Sequence, residues 1–233
     1  MVRALLNRTR LFVPLLAGAS LHDRVIASVG ALLGIGFVGL SCAALFPSSI
    51  PWIVAPMGAS AVLLFAVPAS PLAQPWSIAG GNVVSALVGA VVVQVIPQPA
   101  IAAAVAVSLA ILTMSLLRCL HPPGGAAALS AVLGGYALLS AHVVQFLFVV
   151  LVNSLLLVAI GWLFHRFSGH SYPHRAKLVD GKPLPPAPAS GMLMDDIDLA
   201  LDDLGETFDI SREDLALLLE RAEVHAAARN GKP

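Results

Sequence analysis

From Val25 to Phe164 the chain holds no Asp, Glu or Lys, and Arg118 is the one Arg in that stretch. Soluble domains carry about 25% charged residues, so a run of this kind belongs in lipid. Across the whole chain 58% of residues are hydrophobic, 11% are charged, and the mean hydropathy is +0.88. Lipid offers the backbone no hydrogen bonds, so each spanning segment must satisfy its own. The expected fold class is therefore all-α, a polytopic helical membrane protein.

The zero formal charge hides an asymmetry. Residues 1–190 hold nine Lys+Arg against the two acids Asp23 and Asp180, whereas residues 191–233 hold four against eleven acids. The expected organisation is a basic interfacial segment over 1–24, a membrane domain over 25–167, a proline-rich linker over 168–190 and an acidic helical tail over 191–233. In the first segment Pro14, and a span that begins almost at once, argue against a cleaved signal peptide.

Four stretches reach the roughly 20 residues that a span needs: 25–46, 76–96, 100–119 and 142–165. Two shorter apolar stretches, 52–67 and 122–138, open near prolines. Pro56 to Leu63 aligns without gaps on Pro122 to Leu129, and Asn82 and Asn153 occupy similar places in the long spans that follow. The chain thus reads as two repeats of long, short and long segments. Arg3 to Arg24 before the domain and His165 to Lys177 after it make both ends basic. The positive-inside rule makes both ends cytoplasmic and the number of spans even. Six spans, with the repeats inverted, are expected; four result if the short stretches are re-entrant.

An intramembrane charge is a functional candidate by default, which directs attention to Arg118-Cys119-Leu120-His121-Pro122-Pro123-Gly124-Gly125. Pro122 and Pro123 suit a first helical turn. The N–H groups of Gly124 and Gly125 would then be bare donors at the positive end of a helix dipole, a setting that suits an anion. Gly58, Ala59 and Ser60 repeat the arrangement after Pro56. Short helices at matching places in two halves point to a transporter site. The candidate site is Gly58, Ala59, Ser60, Asn82, Arg118, His121, Pro122, Pro123, Gly124, Gly125 and Asn153. The plain alternatives are close packing for the glycines, Gly30 and Gly34 included, snorkelling for Arg118 and interhelical bonding for the asparagines.

In the tail, helices are expected over 194–204, with Ile197, Leu201 and Leu204 on one face, and from Ser211 onward. Ser211 and Asp214 have capping-box spacing, Leu215, Leu218, Leu219 and Ala222 form the expected apolar stripe, and Ala226 to Pro233 are expected to fray. No phosphate-binding GxxxxGK is present, nor HExxH, CxxC or GxSxG, so no enzymatic activity, cofactor or metal is expected. Cys42 and Cys119 are too few for a disulfide framework.

His121-Pro122-Pro123-Gly124-Gly125-Ala126, with Pro56 to Leu63 and Ser70-Pro71-Leu72-Ala73-Gln74-Pro75, closely resembles the HPP family of integral membrane proteins, over roughly residues 20–167. Members in chloroplasts and cyanobacteria are implicated in nitrite transport. The resemblance implies a carrier or channel for a small inorganic anion, nitrite first, in the plasma membrane, which in a bacterium is the inner membrane. The expected partners are that anion and the lipid bilayer, with no nucleic acid; a second copy of the chain is left open. The other reading is a membrane sensor or assembly anchor that signals through its acidic tail.

Overall fold

The computed structural model describes residues 20–45, 53–176, 193–205 and 207–230, with the side chains of 135–141 and 230 excepted. Most of the expected interfacial segment and the linker from residue 177 onward lie outside the described residues. Among the described residues all regular structure is helical: α1 Leu21–Leu45, α2 Pro56–Ala66, a 3-10 turn Pro71–Ala73, α3 Pro75–Val95, α4 Pro99–Leu116, α5 Pro123–Ser168, α6 Met194–Leu204 and α7 Arg212–Asn230. Among the described residues four stretches are long and apolar enough to cross a membrane: α1, α3, α4 and the His142–Ser168 arm of α5. α2 and the Pro123–Gly134 arm of α5 are apolar but shorter.

The ends have local causes. α1 begins four residues before the expected Val25. The Ser20 N–H donates to Asp23 Oδ2 at 2.9 Å and the Asp23 N–H to Ser20 Oγ at 3.2 Å, a reciprocal cap that draws the charged residues into the first turn. α4 stops at Leu116, short of the expected 119. Arg118 has φ 54°, and the N–H groups of Arg118 and Cys119 turn back to Ser115 O at 3.2 Å and Met114 O at 2.9 Å. That is a Schellman ending, with arginine where glycine is usual. α2 and α5 both have proline at N1, so the structural register of the two starts is Pro56 on Pro123 rather than on Pro122.

Helical hydrogen bonding is continuous over α5, yet α5 folds back on itself. As a straight helix, Pro123 and Ser154 would lie about 46 Å apart. Instead His121 touches Ser60 at 2.8 Å, Ser60 touches Asn82 at 3.2 Å, and Asn82 reaches Ser154 at 3.5 Å. The contacts place the reversal between Val132, which packs with Val92 and Ala102, and Val143, which packs back on Ala90 and Ala131. The two arms of α5 therefore run in opposite directions, and both pack along α3. An added Cβ at Gly89 would lie 2.4 Å from Ala128 O of the first arm, and Val93 packs in one cluster with Val143 of the second.

Small residues let these helices close up. A Cβ at Gly30 or Gly34 would lie 2.6 or 2.7 Å from the Phe65 ring, and one at Gly161 would lie 2.5 Å from Leu64. The packing reading of Gly30 and Gly34 is the one the structure bears out. Phe65 meets Phe164 edge-on, with ring centroids 5.3 Å apart. Outward, large apolar side chains stay uncovered, Leu40 and Val144 at 77% exposure. An apolar outer surface of this kind is suited to lipid.

The tail helices match expectation at their starts. Ser211 caps α7: the Asp214 N–H donates to Ser211 Oγ at 3.1 Å, and Ser211 Oγ donates to Asp214 Oδ2 at 2.6 Å, without the backbone return bond of the full box. Elsewhere α7 corrects the reading. Leu218 and Leu219 stay exposed, whereas Val224 is buried at 1%. The covered face is thus turned away from the expected stripe; α7 packs against α6, with Arg212 Nε 3.0 Å from Asp198 Oδ1. The helix also runs on to Asn230, so the expected fraying is not found over 226–230; residues 231–233 lie outside the described residues.

Candidate functional site

Inside the bundle lies a set of fully buried polar side chains: Ser60 from α2, Asn82 and Ser85 from α3, His121 from the segment before α5, and Asn153 and Ser154 from α5. Burying a polar group is unfavourable unless it is hydrogen-bonded, so each partner matters. His121 Nδ1 lies 2.8 Å from the carbonyl oxygen of Leu72, and its Nε2 lies 2.8 Å from Ser60 Oγ. A carbonyl only accepts, so Nδ1 carries the proton. In the neutral ring Nε2 is then an acceptor and Ser60 O–H donates to it. Ser60 Oγ in turn accepts from Asn82 Nδ2. The other Asn82 amide hydrogen points to Ser154 Oγ, whose hydroxyl donates to Val150 O at 2.8 Å.

Two polar atoms of the set stand without a hydrogen-bond partner among the described residues: Asn82 Oδ1 and Ser85 Oγ. Each orphan costs roughly 1–3 kcal/mol, a sizeable part of a total stability of about 5–15 kcal/mol. Asn82 and Ser85 stand at i and i+3, on one face of α3. Beside them the helix comes flush with its neighbours. A Cβ at Gly124 would lie 2.7 Å from Ser85 Oγ, and one at Gly81 would lie 2.6 Å from His121 Cβ. Asn153 serves an adjoining role. It accepts from the Val54 N–H at 3.0 Å, and its amide lies 3.2 Å from Cys42 Sγ. It thereby holds the entry to α2 against α1.

The Leu72 carbonyl is held in place by the Ser70 to Pro75 loop. Ser70 Oγ accepts from the Leu72 N–H at 3.1 Å, Gln74 Nε2 donates to Ser70 O at 2.8 Å, and Ser77 Oγ donates to Pro71 O at 3.0 Å. Residues after α5 clamp the same loop. Tyr172 O–H donates to Ala73 O at 3.0 Å, and the His174 N–H donates to Gln74 Oε1 at 2.9 Å. Burial pushes the Tyr172 phenol above its ordinary range, so it stays a donor. From the tail, Asp209 Oδ1 accepts from Ser70 Oγ at 2.8 Å, and Asp214 faces His174 Nε2 at 2.9 Å.

Of the residues expected from sequence, Ser60, Asn82 and His121 meet directly. Gly124 packs beside Ser85, and Asn153 adjoins the set. Pro123 is buried at N1 of α5 and Gly125 is half-buried beside it. Gly58, Ala59 and Pro122 are exposed, and Arg118 lies exposed at the end of α4. The expected bare donors are also spent. The N–H groups of Met57 and Gly58 turn back to Val54 O and Ala55 O at 3.0 and 3.1 Å. Those of Gly124 and Gly125 turn back to His121 O and Pro122 O at 2.8 and 3.1 Å. Tight first turns satisfy them, because Ala55 and Pro122 already hold helical φ and ψ. Ser85 and Ser154 went unread in the sequence. The spacing of Ser85 from Asn82 was the available signal for the first, and adjacency to Asn153 for the second.

Chemically the set is a neutral hydrogen-bonding array in an apolar enclosure. The Ser60–His121 contact has the form of a base-activated nucleophile. However, Ser60 Oγ also accepts from Asn82, which draws on the lone pairs that would attack. The first-turn N–H groups that would stabilise an oxyanion are those already turned back into the chain.

No curated protein and no solved structure matches this chain. The family described as the HPP transmembrane region matches residues 17–173. That range runs from just before α1 through the end of α5 to Pro173, and takes in the buried polar set and the loop that fixes His121. With His121 of its His-Pro-Pro segment bonded into the buried array, the chain belongs to the HPP family of integral membrane proteins.

Proposed function

We propose that the protein is a transporter for a small inorganic anion, with nitrite the first to test, rather than an enzyme. The observation that carries this reading is the fully buried set Ser60, Asn82, Ser85 and His121, with its two orphan atoms, where the starts of two short helices meet inside a membrane protein. Sites between short helices in two halves of a chain are the transporter pattern. No carboxylate or lysine lies among these groups, which disfavours the oxygen-rich sites used for cations. The family resemblance supports nitrite.

In this reading α2 and the first arm of α5 each complete a crossing together with the non-helical segment before them, giving six crossings in two inverted repeats. The contacts that support it are antiparallel ones, α3 against the second arm of α5 and α2 against α1. Arg24 donates to Ala66 O at 3.1 Å, and His174 meets Gln74, which puts basic residues from before and after the domain at one end. The positive-inside rule makes that end cytoplasmic, and the tail docks there. In a bacterium the membrane is the inner one. Arg118 then serves as a basic residue at the cytoplasmic interface rather than as a ligand.

Reconstitution in liposomes tests this. Nitrite, nitrate, formate and chloride uptake is measured against protein-free vesicles. Protein-dependent uptake of at least one small anion is expected, and none at all would reject the reading.

A second reading, sensing through the tail, is favoured by one observation. Asp209 and Asp214 bond to the loop and flank that fix His121. A tail that a partner pulls away would loosen the support of Leu72. Deleting residues 191–233 separates the two readings: a transporter keeps its flux, whereas a tail-controlled sensor loses its regulated behaviour.

A further inference from the structure

The direction of the hydrogen bonds that run from His121 through Ser60 to Asn82 is set by one carbonyl. Leu72 O takes the proton on His121 Nδ1, so neutral His121 accepts at Nε2, Ser60 donates to it, and Asn82 must turn Nδ2 toward Ser60. That leaves Asn82 Oδ1 as the buried oxygen without a hydrogen-bond partner among the described residues. An orphan carbonyl oxygen repels an anion. In this state the site has the wrong polarity for the proposed cargo.

A proton added at His121 Nε2 reverses the chain. The imidazolium donates from both nitrogens, to Leu72 O and to Ser60 Oγ. The Ser60 hydroxyl hydrogen is released from Nε2 and donates to Asn82. The Asn82 amide then turns over, with Oδ1 accepting from Ser60 and the two Nδ2 hydrogens facing where the orphan was. The amide has the same shape both ways, so the turn needs no repacking. The proton comes from the aqueous phase, and its charge offsets that of the anion. Resting on the transport reading, we infer that His121 is a positioning residue that couples one proton to one anion by setting which end of Asn82 meets the cargo.

Few other groups compete for this role. Among described side chains, α2 and α3 carry no titratable or charged residue. The end of α4 carries Cys119, buried, and Arg118, exposed. α1 carries Cys42, engaged with Asn153, and at its start His22, Asp23 and Arg24. α5 carries His142, His165 and Arg166, with His165 Nε2 on Leu64 O at 2.9 Å. Beyond the loop stand Asp209 and His174, reached through Ser70 and Gln74.

The test uses the full chain in liposomes loaded with a pH-sensitive dye, with nitrite and nitrate as probes and protein-free vesicles as the leak control. Wild type is expected to acidify the lumen as anion enters, one proton per anion. An inward gradient of one pH unit should raise anion accumulation about tenfold, the ratio of proton concentrations. In His121→Gln and in Ser60→Ala, accumulation should no longer follow the gradient. Both variants are checked for a monodisperse elution profile, and if His121→Gln does not fold, Ser60→Ala decides. Anion flux without lumen acidification, or gradient-driven accumulation that persists in Ser60→Ala, would overturn the coupling and leave the transport reading standing. Absence of protein-dependent flux for any small anion would overturn both.

Discussion

At Gly124 the consequences of one methyl group are open to measurement. A Cβ there would meet Ser85 Oγ and Met114 Sδ at 2.7 Å and Gly81 O at 2.9 Å. Overpacking of this kind costs about 1–3 kcal/mol, so Gly124→Ala should lower the thermal unfolding midpoint in detergent. Gly125→Ala has Val107 Cγ1 no nearer than 3.9 Å and Gly58→Ala has nothing within 4 Å. Both should unfold at or above the wild-type midpoint. Arg118 gives the opposite case. Its φ of 54° is left-handed, a conformation that disfavours any residue with a Cβ by roughly 1 kcal/mol. Arg118→Gly should therefore raise the midpoint and leave anion uptake near wild type; a large loss of uptake would return Arg118 to the site. The residue scale is also where sequence reading was least complete. An isolated charge drew attention to Arg118, while the array is built from serines, asparagines and a histidine that look ordinary among small residues. Whether a first-turn N–H is free depends on the φ and ψ of the residue before it, and nothing at Ala55 or Pro122 announces that in the sequence.

Among the elements, the long spans were legible because span length and apolarity are local properties, and the prolines at Pro56 and Pro123 marked helix starts for an equally local reason. The path of α5 and the role of the Ser70 to Pro75 loop depended on contacts between distant residues. Such contacts carry no periodic signal. The loop was legible as a motif, yet its task, presenting Leu72 O to His121, was not. Its tether to the tail makes a prediction. Asp209→Ala removes the acceptor for Ser70 Oγ, a bond worth about 0.5–1.5 kcal/mol. Protease cleavage in the tail should quicken relative to wild type, while the membrane helices remain protected. An unchanged cleavage rate would show that the Asp209 contact does not hold the tail in solution.

For the molecule as a whole, an apolar bundle that is open to lipid on its outside keeps its polarity within, where helices from both halves of the chain meet. Phe65 on Gly30 and Gly34, and Leu64 on Gly161, hold α2 between α1 and α5. Phe65→Ala should cost about 3–5 kcal/mol and be seen as a lower unfolding midpoint. The central claim is that Asn82 and its neighbours receive the anion. The most direct measurement is nitrite uptake by liposomes carrying wild type or Asn82→Leu, a near-isosteric change that removes both ends of the amide, with folding matched by elution profile. The account predicts protein-dependent uptake in wild type and uptake at the protein-free level in Asn82→Leu. Equal uptake by the two proteins would contradict it.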